Sequence, residues 1–171
     1  MDFVPLLLRV VHIVCGVYWA GALLFVATFL EPSMRAAGPD GAKVMSAMMQ
    51  RRFLDVMPVI ALLTILTGVD LYRRASGGFN PAWIHTGYGM SMTLGALAAI
   101  VAFTIGVGVM RPAAKRVSRL APAAQQLPAG PDRDATLAEV QRLRGRMAVT
   151  GRWVASLLGL AVIGMAAARY L

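Results

Sequence analysis

A chain of 171 residues that is 58% hydrophobic, 15% charged and formally +9 is not composed like a soluble domain, where roughly 45–50% apolar usage is normal. Its charges stand between long apolar runs, the alternation expected of loops and membrane spans. In a soluble protein such basicity would point to nucleic acid, but Lys- and Arg-rich cytoplasmic loops account for it, and no nucleic-acid partner is expected.

The first apolar run predicts a span from Phe3 to about Leu30. It exceeds the roughly 20 residues needed to cross hydrocarbon, so it should tilt or protrude. It is too long, and lacks the basic flank, for a signal peptide; it is expected to be an uncleaved span. Its Cys15 is the chain's one cysteine and has no disulfide partner within the chain. Glu31-Pro32 is expected to end the helix, because a proline disfavours helical geometry in the residue before it. Gly38-Pro39-Asp40-Gly41 is turn chemistry, with Asp40 a candidate cap.

Val44, Met45, Met48 and Met49 recur at helical spacing, so a second helix should start in the headgroup region and cross from Phe53 to about Tyr72. Pro58 lies inside it and predicts a kink. After Arg73-Arg74 and a short Gly-rich loop, Trp83 sits at an interfacial position and span three runs from about Ile84 to Met110. A long basic loop, 111–148, is punctuated by Pro112, Pro122, Pro128 and Pro131. Asp132 is a candidate cap for a last helix, whose Leu137, Val140 and Leu143 form an apolar stripe. Span four then runs from about Val149 to Leu171.

The expected fold is therefore all-α, a four-span integral membrane bundle with helical extensions into the cytoplasm, in one domain and without an internal sequence repeat. Glycines in spans one, three and four (Gly16, Gly21, Gly87, Gly89, Gly95, Gly106, Gly108, Gly151, Gly159, Gly164) suit close helix packing. Lys and Arg concentrate in the first and third loops, which puts those loops in the cytoplasm and both termini outside a bacterial inner membrane. The lipid bilayer, with anionic headgroups beside the basic helices, is the expected partner; further membrane subunits or a second copy of the chain are others.

Ionisable residues inside a span are costly and suggest function. Arg9 and His12 lie three apart on one helix face, with Gly16 and Trp19 following on it. Two readings stand. In one, His12 ligates haem iron, Arg9 pairs with a propionate, Gly16 admits a flat macrocycle and Trp19 walls it. In the other, His12 bonds a neighbouring helix, Arg9 snorkels to headgroups and Trp19 is packing. His85 is a second candidate metal ligand or a plain interfacial histidine. With Asp70 it would complete a polar layer with Arg9 and His12 at the outer end. The eleven methionines lack the dense repetition of a copper motif and suit apolar packing, although Met57, Met90 or Met92 would serve as a haem ligand. No hydrolase, phosphate-loop or zinc pattern is present.

The run Leu-Leu-Arg9-Val-Val-His12-Ile-Val-Cys-Gly-Val-Tyr-Trp19-Ala-Gly21 resembles the first span of the superfamily that includes HemJ-type protoporphyrinogen oxidases and CopD-type copper-resistance proteins. Arg51-Arg52-Phe53, Met57-Pro58, Leu66-Thr67-Gly68 and Trp83-Ile84-His85 continue the resemblance. It implies a membrane bundle binding haem b, with His12 an axial ligand and a redox or electron-transfer role; copper transport is the CopD-type alternative. The position of a lysine important to HemJ-type oxidases is Gly87 here, which sets the oxidoreductase activity itself apart from the haem site. A non-catalytic accessory subunit of a larger membrane complex is the alternative from a different class.

Overall fold

The computed structural model describes residues 3–171. It is helical throughout, and among the described residues no strand occurs. Helix α1 (Phe3–Phe25) runs through a π-turn (Val26–Leu30) into α2 (Glu31–Ala36); α3 (Pro39–Gln50) and α4 (Phe53–Ala75) follow. A four-residue helix α5 (Pro81–Ile84) precedes α6 (Gly87–Ile105). Helix α6 passes through a second π-turn (Gly106–Met110) into α7 (Arg111–Gln126), and α8 (Pro131–Ala167) closes the chain with a terminal 3-10 turn. Four of these helical stretches are long and apolar enough to cross a membrane. Helices meet that environment because hydrocarbon offers no partner for a free backbone N–H or C=O.

Two antiparallel hairpins build the bundle. Helix α1 packs chiefly on α4, and α6 chiefly on α8. One side chain ties each pair: His12 of α1 to the Thr64 carbonyl of α4, and Ser91 of α6 to the Gly164 carbonyl of α8, at 2.7 Å. The core between the hairpins is small and tight, formed by Trp19, Ala20, Ala61, Ala102, Val154 and Leu158. Most other apolar residues of the spans face outward; Leu7, Val14, Val17, Leu94, Leu160 and Ile163 are all exposed, as a lipid-facing surface requires.

Neither Pro32 nor Pro112 ends its helix, contrary to the sequence expectation. Each follows a π-turn, in which Glu31 N–H bonds Val26 O and Arg111 N–H bonds Gly106 O. The wider turn opens the helix where the proline ring would press on the carbonyl four residues back. The chain thus remains helical from Phe3 to Ala36 and from Gly87 to Gln126. The segment 111–148 is accordingly not a loop but a helical hairpin. Helix α7 lies on the first half of α8 with Ala113, Ala114, Ala124, Val140 and Leu143 between them, and only residues 127–130 turn.

The helix starts also differ in detail. Gly38 (φ +58°) precedes α3 without a side-chain cap, and Asp40 pairs instead with Lys43 at 2.7 Å. Gly130 precedes α8, and Asp132 lies in its first turn, where a carboxylate suits the helix dipole. Helices α3 and α4 are separate, joined at Arg52 in the left-handed region (φ +60°).

Asp55 of α4 meets Arg111 of α7 at 2.8 Å, so the connection 31–52 and the hairpin 111–148 lie at one end of the bundle. At the other end Gly87 sits against the backbone of Leu171. There Phe79 stacks on Tyr72, Tyr72 meets Trp83 edge-on and Trp83 meets Tyr88 edge-on, with ring centroids 4.9–5.9 Å apart.

Candidate functional site at His12

His12 is half-buried between α1 and α4. Its Nδ1 lies 2.8 Å from the Thr64 carbonyl oxygen. A carbonyl only accepts, so Nδ1 carries the proton and Nε2 keeps the lone pair. The Thr67 hydroxyl stands 3.4 Å from the same nitrogen and donates to backbone carbonyls of its own helix, Leu63 at 2.6 Å and Thr64 at 3.1 Å. Gly68 completes the seat: an ideal Cβ there would lie 2.7 Å from His12 Cε1, so only glycine lets the ring lie against α4. Among the described residues Nε2 has no hydrogen-bond partner.

The remaining residues of the span-one stripe separate. Gly16 does face α4, but the methyl of Thr64 fills its notch, 3.4 Å from where a Cβ would be. Trp19 is 4% exposed in the core and meets Phe103 edge-on, with ring centroids 6.5 Å apart and planes at 86°. Both therefore serve packing between helices. Arg9 is exposed one turn before His12 and forms no ion pair with a described residue.

His85 lies in the exposed turn between α5 and α6, its backbone N–H bonded to Ala82 O. Asp70 is taken by Arg73 and Arg74 of its own helix, at 2.9 and 2.6 Å. No bond joins Arg9, His12, Asp70 and His85 to one another, so the expected polar layer is not a cluster. Nor do any three His, Cys, Asp or Glu side chains among the described residues converge as a metal-holding group. At Gly87 a Cβ would come within 2.6 Å of Leu171 O, so this backbone leaves no room for a lysine-like side chain.

Sequence reading did not identify Thr64 and Gly68 as the seat of His12. The available signal was Thr64-x-x-Thr67-Gly68, small and polar residues one turn apart within an apolar span.

A second constellation, not anticipated, lies at the opposite end. Pro58 has no N–H to give Leu54 O, and Arg111 Nε donates to that carbonyl at 3.1 Å while Nη2 holds Asp55. An apolar cleft of about 80 Å³ opens beside it between α1, α4 and α6, with Trp19 and Phe103 among its walls.

Comparison with known protein families, with characterised proteins and with solved structures finds no match to this chain.

Proposed function

We propose that this membrane protein holds a haem b through His12 and works in electron transfer. The observation that carries the reading is the anchored Nδ1–H with an unpartnered Nε2. A ligating histidine is commonly fixed in this way, its other ring nitrogen donating to a carbonyl so that tautomer and ring plane are set. Arg9, one turn away and without an ion pair among the described residues, supplies a cation for a propionate. An imidazole and a cation are the kinds of group such a ligand would use. Gly16 and Trp19 do not contribute to it, being absorbed into packing. His85, in an exposed turn, is not needed as a ligand in this reading. When bound, a haem would supply one-electron chemistry; His12 would hold it, and Arg9 would offer its propionates a positive charge.

The resemblance in span one to the HemJ/CopD-type superfamily favours the same reading. The crowded backbone at Gly87 argues against protoporphyrinogen oxidation by a lysine at that position. Orientation is read from charge. Arg35, Lys43, Arg51, Arg52 and the basic hairpin share one end, which is taken as the cytoplasmic side of a bacterial inner membrane, with both termini outside.

The test is the visible absorption spectrum of the chain, expressed with ample haem and purified in mild detergent. A Soret band that survives His85→Ala and disappears in folded His12→Ala is expected. No band, or one unchanged in His12→Ala, overturns the reading.

The hydrogen bond to Thr64 also favours a second reading, in which His12 only pins α1 to α4 and the chain is an accessory subunit without chemistry. A colourless protein isolated in fixed ratio with other membrane subunits, with His12 dispensable, would select it.

A further inference from the structure

The cleft at the basic end of the bundle is lined almost wholly by apolar groups from α1, α4 and α6, and Arg111 is its one charged lining residue among those described. Trp19, Ala61 and Ala102, all nearly inaccessible, stand deepest; Leu54 and Arg111 stand where α4 begins and α7 departs. At about 80 Å³ it falls well below the roughly 300–1,000 Å³ typical of small-molecule pockets. So narrow a cleft suits a slim chain better than a fused ring system. Gly106, in the second π-turn, has nothing within 4 Å of where a Cβ would stand, so the wall is open there.

The charges around the mouth complete the pattern. Arg111 is spoken for by Asp55 and Leu54 O, while Arg52, immediately before the lining residue Phe53, and Lys115, one turn beyond Arg111 on α7, stand exposed beside the mouth. Three cations thus face one anion. An apolar slot running from a cationic rim toward the middle of the spans matches the shape and polarity of one lipid molecule.

We propose that this cleft is a binding site for an anionic phospholipid, one acyl chain lying along Trp19 and Phe103 and the phosphate resting between Arg52 and Lys115. The inference is independent of any haem at His12, which lies nearer the other end of α1. Bulk attraction of anionic headgroups to basic helices would gather lipid around the protein; the site proposed here places a chain against one buried indole.

Trp19 reports on it directly. Replacing the other two tryptophans (Trp83→Phe, Trp153→Phe) leaves Trp19 as the sole indole of the full-length chain. The protein is reconstituted in phosphatidylcholine vesicles with a minor fraction of phosphatidylglycerol, either lipid in turn carrying brominated acyl chains that quench on contact. Brominated phosphatidylglycerol is expected to quench Trp19 more strongly than brominated phosphatidylcholine at equal fraction. Arg52→Asn and Lys115→Gln should each weaken that preference about fivefold, the worth of one surface cation near a lipid headgroup.

Gly106→Leu, which fills open space, and Val107→Phe, on the same wall, should abolish quenching while circular dichroism and melting stay unchanged. Equal quenching by the two lipids, or quenching that persists in folded Gly106→Leu and Val107→Phe, overturns the proposal. So does relief of quenching by added glycerol phosphate, which would make the rim a site for soluble phosphate instead.

Discussion

Arg111 serves the carbonyl that Pro58 orphans. Inside α4 the Leu54 oxygen would accept from the residue at position 58, but proline has no N–H. Arg111 crosses from α7 to fill the gap at 3.1 Å and takes Asp55 with the same guanidinium. One side chain thereby serves a carbonyl inside a helix, pairs with a carboxylate and ties α7 to α4.

That relationship gives a double-mutant cycle. Arg111→Gln should destabilise the chain by about 1 kcal/mol, because the half-buried Leu54 carbonyl loses its side-chain donor. Pro58→Ala restores the helical donor, so the Arg111→Gln penalty should be smaller in that background by roughly 1 kcal/mol. Denaturation in mixed detergent, followed by circular dichroism, reads the coupling. Strict additivity would show that Leu54 O gains nothing from Arg111.

At the histidine, stability and ligation should part. His12→Ala loses one interhelical hydrogen bond, on average about 0.6 kcal/mol in membrane bundles, yet should remove all haem absorbance. Gly68→Ala acts on the same ring from the facing helix. Its new methyl would meet the imidazole at 2.7 Å, so it should cost roughly 1–3 kcal/mol as overpacking and shift or abolish the Soret band without touching His12. An unshifted band with native stability in Gly68→Ala would contradict the placement of the ring.

Glycines at the interface and glycines in open space should respond with opposite sign. Gly95 backs onto the Ala161 carbonyl, 3.2 Å from an ideal Cβ, whereas Gly159 has nothing within 4 Å. Gly95→Leu should destabilise by about 1–3 kcal/mol. Gly159→Ala should stabilise by up to about 1 kcal/mol through helix propensity. Melting temperatures in one detergent compare the two.

Orientation is checked by accessibility. In a Cys15→Ser background, Ala82→Cys near the Tyr72–Trp83–Tyr88 aromatic cluster should react with a membrane-impermeant maleimide added to intact cells. Ser118→Cys on α7 should react only after lysis. The reverse pattern would put the basic hairpin outside.

Much of the architecture was legible because lipid leaves the chain few choices. Long apolar runs must be helices, and basic segments must lie outside the hydrocarbon, so four spans and the one basic end could be read from composition and spacing. Proline misled that reading at Pro32 and Pro112. Its local rule is a helix stop, but a π-turn, whose cost is met by neighbouring helices, lets the helix continue. The fate of the Arg9–His12–Gly16–Trp19 stripe was likewise beyond periodicity. A shared helix face says which side chains point the same way, not what stands opposite. Thr64 stands opposite His12 and Gly16, and Phe103 stands opposite Trp19, so an imidazole anchored through Nδ1 and a tryptophan sunk in the core emerged only once α4 and α6 were packed against α1. Such contacts join residues about 50 to 80 positions apart, and nothing local in the chain encodes which of them meet.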